Sequence, residues 1–147
     1  MCIVPSPVES CDMEDRISTR LAEMILADRV IEVHYRPGAD LDVEGLMEVQ
    51  LRRKELTTDR CGMIAFFQPG TLGDMRVLET DFFKLTNANE QLIALAIVCQ
   101  DQFGDAMSSI YYSYHPQTFP TRIFLSEAEA RKWMKERLAE EDRGRST

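Results

Sequence analysis

Four cysteines and two histidines are the residues here best suited to nucleophilic or metal chemistry, and their spacing offers neither. Cys2, Cys11, Cys61 and Cys99 include no C-x-x-C pair, so neither a redox motif nor a zinc knuckle is written. Cys61 opens one apolar run and Cys99 closes another, which reads as two small buried hydrophobes. His34 alternates with apolar positions and should face solvent or a partner. His115 precedes Pro116 at the end of a helical pattern, where it suits the last carbonyls. Two histidines without a carboxylate cluster make no metal site, so no metal and no cofactor is expected. A Cys61–His dyad would need a histidine that nothing in the sequence places beside it.

The stretch CGMIAFFQPGTLGD, residues 61–74, is the other candidate. A strand that opens into a glycine-bearing loop is where α/β proteins hold ligands. The loop residues Gln68, Gly70, Thr71 and Gly73 are therefore binding candidates. The loop has no lysine, so it is no phosphate-cradling P-loop, and it lacks the G-x-G-x-x-G of a dinucleotide turn. Asp74 stands where a phosphate would want a helix N-terminus. A plain turn is the expectation.

Aromatic residues give a second group. Phe82 and Phe83 are adjacent, and one helix face cannot take both into a single core. Tyr112 and His115 lie off the apolar stripe of their helix. Aromatics left over in this way suit a contact surface, so Phe82, Phe83, Tyr112 and His115 join the binding candidates.

The elements that must position these residues follow from periodicity. Residues 1–17 are acidic and broken by Pro5 and Pro7, and read as a mobile arm with no signal-peptide pattern. RLAEMILA and VIEVHY, joined at Asp28-Arg29, read as two strands; Ile31, Val33 and Tyr35 alternate with polar residues. Residues 42–57 carry Val43, Leu46, Met47 and Leu51 at helical spacing behind an Asp42 N-cap. GMIAFF is strand-like, 75–86 is weakly helical, and QLIALAIVC lacks alternation, as a strand buried on both faces should. Phe103, Ala106, Met107, Ile110, Tyr111 and Tyr114 form the cleanest helical stripe. TRIFL is a last strand. Ser126 and Glu129 make a capping box for a helix burying Ala130, Trp133, Met134 and Leu138, and 141–147 read as a frayed tail. The result is one α/β domain over 18–140, ordered β-β-α-β-α-β-α-β-α, with a mixed, mostly parallel sheet and packed helices.

Composition bounds the function. The chain has 147 residues, 44% hydrophobic and 29% charged, with a formal net charge of −8. That balance disfavours nucleic acid and anionic membranes. No apolar segment reaches membrane-span length. Reduced thiols fit a cytoplasmic location.

The element order is that of STAS domains, the anti-sigma-factor-antagonist fold. Residues 79–136 resemble a family of small bacterial STAS/Sec14-like domains of unknown function. The resemblance is carried by Phe82-Phe83, the apolar strand Leu92 to Val98, His115-Pro116, Pro120 to Phe124, and Ala130 to Met134. It extends over roughly residues 20–137 and implies a STAS-like fold. Switchable STAS domains carry Asp-Ser at the loop where this chain has QPGTLGD, so Thr71 does not match the phosphorylated position. The expected function is a non-enzymatic interaction or regulatory domain whose partner is a protein or a second copy, most simply in a homodimer. The alternative is a Sec14-like binder of an apolar small molecule, in a cavity lined by Phe83, Met107 and Ile110.

Overall fold

A computed structural model describes residues 15–69, 72–73, 75–87, 91–99 and 102–145. The chain folds as an α/β domain around a mixed sheet of six strands, with four helices among the described residues. In chain order the elements are β1 (Arg16–Ser18), β2 (Ala22–Ala27), β3 (Val30–Tyr35), β4 (Asp40–Leu41), α1 (Val43–Arg53), β5 (Cys61–Phe67), β6 (Leu72–Gly73), a 3₁₀ turn (Met75–Glu79), α2 (Phe82–Leu85), β7 (Leu92–Cys99), α3 (Gln102–Tyr114), β8 (Thr121–Phe124) and α4 (Glu127–Arg145).

The main sheet runs β1-β2-β3-β5-β7-β8. β1, β2 and β3 pair antiparallel, and β3, β5, β7 and β8 pair parallel. The β2–β3 hairpin turns at Asp28 and Arg29, whose φ of 52° and 67° are both left-handed, as a two-residue type I′ loop requires. Alternation in β3 is realised as expected: Ile31, Val33 and Tyr35 are buried, while Glu32 and His34 lie on the other face. β7 is buried along its whole length, as a central parallel strand flanked on both faces must be.

Two cores result. On one face α1, α2 and α3 cover Met24, Ile31, Val33, Met63, Leu95 and Ile97. On the other, α4 covers Ile64, Phe66, Ala94, Ala96 and Val98 through Ala130 and Met134. α4 begins as its sequence signature predicts, with the Glu129 N–H donating to Ser126 Oγ at 3.3 Å. α1 is capped by Asp42, whose Oδ1 accepts the Gly45 N–H at 2.8 Å.

Both domain boundaries move outward from the sequence reading. Residues 16–17, read as part of the arm, belong to β1, where Leu26 N–H donates to the Asp15 carbonyl at 2.9 Å. Residues 141–145, read as frayed tail, continue α4; Arg60 reaches Glu141 at 2.6 Å and Arg29 reaches Asp142 at 2.9 Å. Three residues lack the length for a periodicity signal, and the tail's polar composition hides ion pairs made to distant turns.

Candidate functional site

The crevice expected to bind ligands lies at the carboxyl ends of β3, β5, β7 and β8. Two ring stacks stand at those ends, one on each face of the sheet. His34 lies on Phe66 with centroids 4.4 Å apart, and Tyr35 on Phe67 at 4.5 Å, each pair within 5° of parallel. His34 and Phe66 are direct partners across the β3–β5 ladder, and Tyr35 and Phe67 are the next residues along the two strands. Gln68 and Pro69 are exposed just beyond Phe67. Gly73 and Leu72 form β6, which pairs parallel with β4: Asp40 stands opposite Leu72 and Leu41 opposite Gly73. The loop is thereby tied to the connection entering α1. Gly70, Thr71 and Asp74 lie outside the described residues.

The histidines do not converge. His34 Nε2 meets Glu32 Oε1 at 3.0 Å on the face that α4 leaves partly open. Glu32 is held by Arg131 of α4 through two bonds of 2.7 and 3.1 Å, which keep its carboxyl below the usual carboxylate range. The Arg131 guanidinium also lies 5.4 Å over the Phe66 ring. His115 follows α3, with Nδ1 3.8 Å from Asp81 Oδ2, and Asp81 caps α2 by accepting the Lys84 N–H at 3.1 Å. Cys61 is buried, burial pushes its thiol up to about 11, and its charged neighbours are Arg53, Arg29, Arg60 and Asp59, so it stays a thiol. Among the described residues no three His, Cys, Asp or Glu side chains group as metal ligands.

The aromatics expected on a contact surface sit inside. Phe82 and Phe83 are each 4% exposed. Phe82 packs on Tyr111, and Phe83 packs edge-on to Phe119 and tilted to Tyr112. α2 is a single turn set into a concave seat, so consecutive residues both find cover. The Tyr111 hydroxyl locks the turn, accepting the Phe82 N–H at 3.0 Å and donating to the Thr80 carbonyl at 2.8 Å. Tyr112 packs against the same core.

The surface instead carries residues the sequence assigned to the interior. On α3, Tyr111 is buried, whereas Ala106 is exposed, Ile110 is 41% exposed and Tyr114 66%. These three recur every fourth residue, so they form one outward strip. The side chain of Met107 lies outside the described residues. On α1, Leu46 and Val49 are buried, while Leu51 is 53% exposed and Val43 and Met47 are half-buried. Leu85 on α2, beside α1, is 64% exposed. The inward face of α1 includes Arg53, at 0% exposure. Its Nε donates to Gln50 at 2.7 Å and its Nη1 to Gln91 at 3.0 Å, while Nη2 has no partner among the described residues. Leu46, Val49, Gln50 and Arg53 follow i, i+3, i+4, i+7 spacing, a signal that was legible but is masked by Arg53's charge.

A family model described as Domain of unknown function (DUF7793) matches residues 24–138. The chain belongs to this family. The DUF7793 span starts inside β2 and ends inside α4, so it holds β3 to β8 and α1 to α3 whole and part of β2 and α4, but not β1. No curated protein matches the chain. No helix among the described residues is long and apolar enough to cross a membrane.

Proposed function

We propose that this chain is a non-enzymatic, STAS-like interaction domain that works by binding protein through the outer surface of its α1–α3 layer. Setting aside the three-residue β1 and the short β4–β6 pair leaves the succession β-β-α-β-α-β-α-β-α, which supports the STAS-like reading. The single observation that carries the function is the outward strip of α3. Ile110 and Tyr114 are large and apolar, lie one turn apart, and remain exposed although deeper positions in the same helix are filled by tyrosines. Apolar side chains repeated on one outward strip are a feature of contact surfaces, and a tyrosine adds a polar tip that suits a partly wet interface.

The rival is a Sec14-like carrier of a small apolar ligand. It needs Phe83 and Ile110 on one cavity wall. Phe83 is packed between Tyr112 and Phe119, and Ile110 faces outward, which favours the protein-binding reading. The buried, free Cys61 suits a reducing compartment such as the cytoplasm.

Native mass spectrometry of the full chain purified from its own cells tests the choice. A complex whose added mass is a polypeptide supports the proposal, provided that Ile110→Glu/Tyr114→Glu abolishes it while the variant stays folded. An added mass of a few hundred daltons that survives this substitution would replace it with the carrier.

A further inference from the structure

We infer that the open edge of β8 is a strand-addition site, taking an extended segment of a partner protein that carries apolar side chains on one face and a carboxylate on the other. The inference rests on the protein-binding reading above and names the form of the partner's segment. β8 ends the sheet on one side: β7 is its neighbour, and no strand among the described residues lies beyond it. The Leu95 N–H donates to the Pro120 carbonyl at 2.9 Å, and Leu95 stands opposite Thr121. In a parallel ladder that bond fixes the phase: the backbone groups of Arg122 and Phe124 turn to β7, and those of Thr121 and Ile123 turn outward. Each outward residue offers an N–H and a C=O without a backbone partner among the described residues, and an extended main chain is the ligand that satisfies both.

The side chains of β8 say what the added strand carries. Thr121 and Ile123 alternate with Arg122 and Phe124, so a strand laid against them presents alternate residues to the two faces of the sheet. Ile123 is half-buried against the core beneath α1–α3, so apolar residues suit that side. On the α4 side Arg122 is exposed, and its guanidinium stands 5.1 Å over the Phe124 ring with no carboxylate paired to it among the described residues. Phe124 in turn packs 5.6 Å from Trp133 of α4, which holds this platform in place. A carboxylate opposite Arg122 therefore completes the site. A short edge strand bearing a charge is also how sheets discourage indiscriminate pairing, and here the charge disfavours a second copy. The antiparallel register that engages both outward residues of two β8 strands sets Arg122 directly opposite its mate. A shift to centre on Ile123 leaves the two guanidiniums on one face as diagonal neighbours, about 7–8 Å apart along the ladder.

The probe is the acetylated, amidated peptide Val-Thr-Val-Glu-Val-Thr-Val, titrated into the isotope-labelled full chain and read by amide hydrogen exchange. In the free protein the Arg122 and Phe124 amides should exchange slowly and those of Thr121 and Ile123 fast. Saturating peptide should slow the second pair about tenfold or more, with a dissociation constant of about 100 µM. Lysine in place of the central glutamate should weaken binding about fivefold, and Arg122→Glu should reverse that preference. Ile123→Pro, which removes an N–H that points away from β7, should weaken the glutamate peptide about tenfold. Thermal unfolding verifies that each variant folds, and Arg122→Glu leaves the strand backbone untouched. Peptide binding that adds no protection at Thr121 and Ile123, or that shows no charge preference, would overturn the β8 site. No binding at millimolar peptide would overturn it as well, while the α3 reading would stand or fall on its own polypeptide complex. Protection of Thr121 and Ile123 that grows with protein concentration in the absence of peptide would overturn the partner segment in favour of a second copy.

Discussion

Arg131 grips both carboxylate oxygens of Glu32, from Nη1 to Oε2 at 2.7 Å and from Nη2 to Oε1 at 3.1 Å, and so bolts α4 to β3. Glu32 is mostly covered, and a planar guanidinium meeting a carboxylate in two bonds is among the stronger ion pairs. Because Glu32's folded pKa lies below its unfolded value, the pair's stabilisation is present above the unfolded pKa. It is lost as pH falls through the folded pKa. Glu32→Gln should therefore cost about 1–2 kcal/mol at neutral pH, discounted for Arg131's exposure, and much less near pH 3. Urea unfolding at the two pH values measures both; an equal loss at each would remove the ion pair from the explanation.

Gly45 tests how closely α1 approaches the β1–β2 connection. A Cβ there would stand 2.5 Å from Leu21 Cδ1, 2.6 Å from Arg20 Nη2 and 2.7 Å from Asp42 Oδ1. Two of those atoms belong to the 2.6 Å Arg20–Asp42 pair that anchors the cap. Gly45→Ala gains helix propensity but must displace all three, and the expected net loss is about 1–3 kcal/mol, as for overpacked cores. A melting temperature equal to wild type would show that the contact yields freely.

Arg53 is the costliest side chain in the core. Its fully buried guanidinium has no carboxylate partner among the described residues, and burial lowers its pKa to about 10. It nonetheless organises the base of the domain, because Gln91 accepts from Arg53 and donates to the Thr57 carbonyl at 2.6 Å, tying α1 to the turns before β5 and β7. Arg53→Ala leaves a cavity and two buried acceptors unpaired, so the expected loss is about 3 kcal/mol or more. Chemical denaturation decides; a loss under about 1 kcal/mol would mean that the site closes over the gap.

The QPGTLGD loop should be silent towards nucleotides. Leu72 and Gly73 are engaged in β6, and the loop offers no lysine or arginine. ATP or GTP at about a hundred times a real dissociation constant would add roughly 2.7 kcal/mol of stability. Differential scanning fluorimetry at millimolar nucleotide should show no shift, and a clear upward shift with either would reverse the reading.

Much of the fold was legible because single elements wrote it locally. Ile31, Val33 and Tyr35 announced a one-sided strand, the unbroken run from Leu92 to Cys99 a two-sided one, and Asp42 and Ser126 the starts of their helices. The surface was not legible in the same way. Periodicity tells where apolar side chains gather but not which gathered side meets the sheet. α3 carries apolar residues around much of its circumference, so Tyr111 and Tyr112 could take the core and leave Ile110 and Tyr114 outside. α1 was read from Val43, Leu46, Met47 and Leu51; Leu46 is buried and Val43 and Met47 pack half-covered against the core, but Leu51 is exposed, and Val49, Gln50 and Arg53 complete the inward face. The glycine-rich loop drew attention by composition, while its pairing with Asp40 and Leu41 joins residues some 30 positions apart, which no local pattern records.

The central claim is that the outward strip of α3 meets protein. A photo-crosslinking amino acid placed at position 114, in cells of the native host, tests it most directly, with position 135 on the exposed side of α4 as the control. The account predicts a discrete adduct at 114 whose added mass is a polypeptide, lost when Ile110 is changed to glutamate and absent at 135. Equal, diffuse labelling at both positions, or no polypeptide adduct at 114, would contradict it.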